Sequence, residues 1–145
     1  MQGEFQKFVQ DANIFINDVA EDLKVTPKIA HQAVKSVFYT VREFITPEES
    51  LHLISQLPLF LKAVYVDGWK LSHSSNYKNI QEKDDFLNEI TLHYNRVAKA
   101  DDATPVSSRL SFETIFDNLS KYLDDGELEH IRAQFPKSVK ELIQV

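Results

Sequence analysis

The chain has 145 residues, 43% of them apolar and 26% charged, and its 16 basic against 22 acidic side chains leave a net charge of -6. A chain of this length can remove on the order of 70% of its unfolded surface from water and fold alone, and ten Phe, five Tyr and one Trp argue against disorder. The lack of a basic cluster argues against a nucleic-acid backbone or an anionic membrane surface as partner, and the lack of cysteine excludes disulfides and thiolate metal sites.

Apolar residues recur at spacings of three and four, the mark of amphipathic helices. Phe5, Phe8, Ala12, Phe15, Val19 and Leu23 lay one stripe along a first helix. Thr26-Pro27 offers an N-cap followed by proline at the first helical position, where its missing N–H costs nothing. The second helix follows with Ala30, Ala33, Val34, Val37, Phe38, Val41 and Phe44 or Ile45. Thr46-Pro47-Glu48-Glu49 reads as a capping box, opening a third helix that Pro58 cuts short. A fourth short helix runs to about Tyr65, and the stretch LPLFLKAVYV at 57–66 falls well below the roughly 18 apolar residues of a membrane span.

Residues 67–81 have no helical period and read as a connector. Phe86, Ile90, His93 or Tyr94, and Val97 then mark a fifth helix, followed by the polar linker NRVAKADDA. Thr104-Pro105 is expected to open a sixth helix carrying Phe112, Ile115, Phe116, Leu119, Tyr122 and Leu123. Asp124 to Glu127 caps a seventh, Pro136 interrupts it, and KSVKELIQV closes the chain.

The second half repeats the first. Shifting residues 26–67 by 78 positions lays Thr26-Pro27 on Thr104-Pro105, Phe38 on Phe116, Glu49 on Glu127, His52 on His130, Gln56 on Gln134, Pro58 on Pro136 and Lys62 on Lys140, eight identities in 42 positions. The matched positions are caps, helix breakers and core-face pairs, so they carry more weight than their number. The first helix matches at a shift of 71, IFINDV on DFLNEI, which puts seven extra residues between Tyr94 and Thr104, in a linker where insertions are tolerated. The expected fold is therefore all-α: one compact domain over 1–145, about eight helices in two similar four-helix repeats (1–66 and 82–145) joined by the connector 67–81, with approximate two-fold symmetry.

Thr46, Pro47, Glu48 and Glu49, then Gln56, Leu57 and Pro58, then Tyr65, Asp67, Gly68 and Trp69 follow one another between Ile45 and Trp69. That run resembles a bacterial family known as domain of unknown function 2267, in which a Thr-Pro-Glu-Glu cap, Gln-Leu-Pro and an aromatic, acidic-Gly-Trp ending occur in this order. Gln134-Phe135-Pro136 fits the weaker second copy such members carry. The chain departs from the pattern at Lys62-Ala63 and Val66. The resemblance implies an all-helical fold and no assigned activity.

Three scattered glycines, Gly3, Gly68 and Gly126, exclude a phosphate-cradling loop. No nucleophile stands in a catalytic motif, so no residue receives a catalytic role and no cofactor is expected. The doubled Glu-x-x-His, Glu49 with His52 and Glu127 with His130, has the spacing of dinuclear metal bundles. At about 100° per residue, however, these side chains point aside from their helices' apolar faces. A capping Glu plus a boundary His is the preferred assignment, metal ligation the alternative, and a histidine separation beyond about 10 Å would end that alternative. Gln56 and Gln134, two residues before a proline, are expected to cap freed carbonyls; a ligand groove shared by both amides is the other possibility. Asp67-Gly68-Trp69 closes the first repeat, and Tyr65, Asp67, Trp69 and Tyr77 of the connector are the candidate anchors for a protein partner. The expectation is a cytoplasmic, non-enzymatic interaction module with an unidentified protein partner and no role at nucleic acid or membrane; its alternative is a small-molecule or metal-binding domain.

Overall fold

The computed structural model describes residues 2–70, 82–98 and 104–144. These are helical: α1 (Gln2–Leu23), α2 (Pro27–Phe44), α3 (Pro47–Gln56), α4 (Leu59–Val66), α5 (Lys83–Ala98), α6 (Ser108–Leu119), α7 (Asp125–Arg132) and α8 (Lys137–Lys140). Among the described residues there is no strand, and no helix is long and apolar enough to cross a membrane.

Most helix ends follow from the residues that cap them. The Thr26 hydroxyl accepts from Ile29 N–H at 3.3 Å with Pro27 in the first turn. Thr46 and Glu49 close a full capping box, each side chain accepting from the other's backbone N–H at 3.2 and 3.0 Å. Asp124 caps α7 by accepting from Glu127 N–H at 2.8 Å. Pro58 and Pro136 act alike: each ends one helix, and its carbonyl then accepts the first N–H groups of the next, from Leu61 and Lys62 and from Val139 and Lys140.

Thr104-Pro105 does not open α6. An N-cap at Thr104 would give its carbonyl to the N–H four residues on; that carbonyl instead accepts from the Tyr94 hydroxyl at 2.6 Å. Ser107 takes the cap, accepting from Leu110 N–H at 3.1 Å, so α6 starts at Ser108. It also ends early, at Leu119, and Tyr122 leaves the helix in a turn to pack on Phe15, ring centres 6.0 Å apart.

Helix α2 is the centre. It packs against α1, α4, α5 and α6, and burial takes in Gln32, Ser36, Thr40 and Arg42 beside the apolar stripe, leaving the side that carries His31, Lys35, Tyr39 and Glu43 exposed or half-buried. Ala30, Ala33 and Ser36 keep its surface thin enough for neighbours to approach. The hydroxyls satisfy themselves on α2's own backbone, Ser36 donating to Ala33 O (2.8 Å) and Thr40 to Ser36 O (2.9 Å).

The halves interleave, with α2 on α5, α1 on α6 and α3 on α7. The helices that follow the two prolines differ in length, α8 having four residues where α4 has eight. A cluster of phenylalanines seals the seam: Phe86 on α5 lies 5.2 Å from Phe44 and from Phe112, and 5.7 Å from Phe135, in edge-to-face contacts. Phe86→Ala is expected to cost about 3–5 kcal/mol in urea unfolding, against less than about 0.5 kcal/mol for Leu92→Ala on the exposed side of α5.

Helix α1 ends on a left-handed residue that is not glycine. Lys24 sits at φ 57°, and Val25 N–H reaches back to Ala20 O at 3.0 Å. Because a Cβ is strained in that region, Lys24→Gly is expected to raise the stability by about 0.5–1 kcal/mol, read as a higher urea midpoint at unchanged slope.

Candidate functional site

The Asp67-Gly68-Trp69 ending of the first half is a helix C-terminus held by an arginine. Gly68 turns at φ 68°, and Trp69 N–H donates to Val66 O at 3.0 Å. Arg42 of α2, 7% exposed, donates from Nη1 to the carbonyls of Tyr65 (2.8 Å) and Asp67 (2.6 Å), and its guanidinium lies 4.1 Å over the Tyr39 ring. A cation on the last carbonyls of α4 suits the helix dipole and satisfies acceptors the turn leaves open. Burial lowers the Arg42 pKa from its usual value, opposed by Tyr39, Glu43, Tyr65 and Asp67.

The candidate anchors separate here. Tyr65 is fully buried, its hydroxyl 2.7 Å from Ser50 Oγ and its pKa pushed up chiefly by burial; it belongs to the core and cannot face a partner. Trp69 stands edge-on to it at 6.0 Å and is half-buried, and Asp67 is exposed. Tyr77 lies outside the described residues.

At the α3–α7 contact the structure brings His52 and His130 together, ring centres 4.2 Å apart and planes at 56°, both exposed. The four-residue metal set is not assembled. Glu49 is engaged by Thr46 N–H, and among the described residues no three His, Asp or Glu side chains gather as they would around an ion. Gln56, its amide oriented by its neighbours, donates to both carboxylate oxygens of Glu127 at 2.9 and 3.1 Å and accepts from Ser55 Oγ at 3.2 Å. Gln134 does the expected capping, its Nε2 donating to His130 O at 3.1 Å. The two amides therefore do not act as an equivalent pair.

Two open grooves flank α1, and both are walled by Phe8 and Phe60, which meet edge-to-face at 6.5 Å. One, about 540 Å³, lies toward Gln56, Leu57, Leu59 and Tyr122. The other, about 520 Å³, lies toward Ala12, Ile16, His31 and Val64. Leu59 (65% exposed) lines the first of them, whereas Phe5 (71% exposed) lines a separate groove along α1 with Val9 and Ile14. Gln134 does not line either groove, so the shared-amide groove is not formed.

His93, on the buried side of α5, is 3.1 Å from Glu43 and edge-on to Tyr39 at 6.3 Å. No sequence spacing connects His93 to Glu43; fifty residues separate them and only the α2–α5 packing joins them. Arg42 was missed in the same way, although an Arg continuing the Val34–Phe38 spacing into the core face was a usable signal. Arg132 does a related task for the chain's end, its Nε donating to Lys140 O and Ile143 O at 3.0 Å. Arg42→Ala, which strips two buried carbonyls of their donor, is expected to cost about 2–4 kcal/mol and to shift Trp69 fluorescence to the red, both followed in one urea titration.

No curated protein matches the chain. The sequence model of a family described as an uncharacterized conserved protein, DUF2267, matches residues 12–142, a span that takes in the capped α3, the arginine-held turn after α4 and the paired histidines. The chain belongs to that family.

Proposed function

We propose that the chain is a non-enzymatic interaction module that docks an apolar segment of a protein partner on the flank formed by α1 and α4. The supporting observation is the pair of grooves that share Phe8 and Phe60, with Leu59 exposed in one of them and Phe5 exposed in a further groove along α1. Phe5 and Val9 of α1 are exposed beside the packed Phe8 and Ala12, leaving aromatic and aliphatic surface of the kind that marks an interface. Charged residues rim one groove, with Lys7 paired to Asp11 at 3.0 Å, which suits a polar rim around an apolar centre. Trp69 and Asp67 are a second contact in this proposal, the half-buried ring serving as anchor from the far end of α4.

A co-purification comparison tests it. A protein retained by the native chain is expected to be lost with Phe5→Asp and Leu59→Asp, reduced with Trp69→Ala, and kept with Leu110→Asp, an exposed apolar position on α6. Equal retention by all four variants would sink the proposal.

A small-molecule role is the second possibility, favoured by Gln56: its side chain lines the groove next to Tyr122 while held by Glu127. A ligand bound there should raise the melting temperature of the native chain and lose that effect in Gln56→Ala; an equal shift in both would rule out this amide.

A further inference from the structure

We infer that His52 and His130 form a surface site for a divalent transition metal that prefers imidazole, copper(II), nickel(II) or zinc(II), with water filling the other positions. The site joins α3 to α7. It is independent of the docking surface proposed above.

The geometry comes first. The two rings belong to different helices, lie 4.2 Å apart between centres and are both exposed, so an ion has access without any opening of the fold. Two imidazole nitrogens each about 2.1 Å from one ion end about 3 Å from each other. Rings with centres 4.2 Å apart on facing helices are close enough for one nitrogen of each to reach a shared ion. Each histidine is also anchored through its backbone: His52 follows the Thr46–Glu49 capping box on α3, and His130 follows the Asp124 cap on α7. Holding both ligands on capped helices reduces the ordering cost of chelation.

The electrostatics favour a cation. One turn before each histidine stands a glutamate, Glu49 and Glu127, and Glu48 and Glu129 add charge on the same short helices. Gln56 holds the Glu127 carboxylate through both oxygens, which keeps it as a nearby negative charge rather than a ligand. With two protein ligands in place of three or four, the ion is solvent-exposed and exchangeable. Selectivity then follows ligand type and intrinsic order, copper above nickel and zinc, with magnesium, which wants oxygen ligands, left in solution.

A bound ion would tie the first half of the chain to the second. Because it binds only where the two helices meet, it stabilises the folded state by mass action.

Calorimetric titration of the untagged full chain with nickel(II) and copper(II) chloride, and melting with and without each metal, tests the inference. One ion per chain is expected, copper binding more tightly than nickel, with a metal-dependent rise in melting temperature and no response to magnesium. His52→Ala and His130→Ala should each weaken binding at least about tenfold, since even a lost outer-shell partner costs that much, and should abolish the thermal shift. Both positions are exposed, and far-UV circular dichroism of the variants confirms that they fold. No uptake by the native chain, unchanged affinity in either variant, or single variants that each keep half of the bound metal would overturn it.

Discussion

The enclosure of α2 governs the rest of the molecule. A helix enclosed on most of its faces that also turns polar side chains inward depends on partners for them inside the protein. Here α2 carries Ser36, Thr40 and Arg42 into the interior. The two hydroxyls turn back on their own helix, and the arginine turns outward to the end of α4. That second solution has structural consequences beyond α2. It holds the last carbonyls of α4 next to the turn that Gly68 makes at positive φ, with Trp69 edge-on to Tyr65. In this chain the ending formed by Tyr65, Asp67, Gly68 and Trp69 is the outward trace of a buried cation that needs carbonyl partners.

What could be seen in advance was whatever is local. N-caps, prolines and amphipathic stripes act within a few residues, so Thr26, Thr46, Asp124, Pro58 and Pro136 announce helix ends by short-range chemistry alone. Thr104-Pro105 has the same local form as Thr26-Pro27 and yet starts nothing, because Tyr94, ten residues away, takes the Thr104 carbonyl. The repeat itself suggested equivalence where tertiary contacts have broken it. Gln134 caps its own helix, whereas Gln56, its counterpart by position, crosses to the other half and binds Glu127.

The candidate site divides along the same line. Tyr65 carried the look of a binding anchor because it is aromatic and sits beside a turn, but the hydroxyl has a buried partner in Ser50 and the ring a place under Trp69. Aromatic content cannot separate a core residue from a surface one; only the position of the neighbouring helices does. The α1 grooves were hidden for the converse reason. Phe5, Phe8 and Ala12 form one stripe with Phe15 and Val19, and periodicity gives no sign that the body ends before the stripe does. For His93 and Glu43, and for His52 and His130, the informative quantity was the pairing of helices, α2 with α5 and α3 with α7.

Burial and exposure thus assign different chemistry to the two histidine pairs. His93 is enclosed, with Glu43 on one side and Tyr39 on another, so its Nε2 contact with Glu43 joins α5 to α2. His52 and His130 meet outside the core, where nothing apolar rewards their contact. Two rings at a surface gain little from each other in water, and a helix pair could be joined there by any residues of similar size. Imidazole beside imidazole on two capped helices is the arrangement on which the proposed shared ion rests. The caps that fix α3 and α7 locally are therefore also what gives the α3–α7 contact a chemistry of its own.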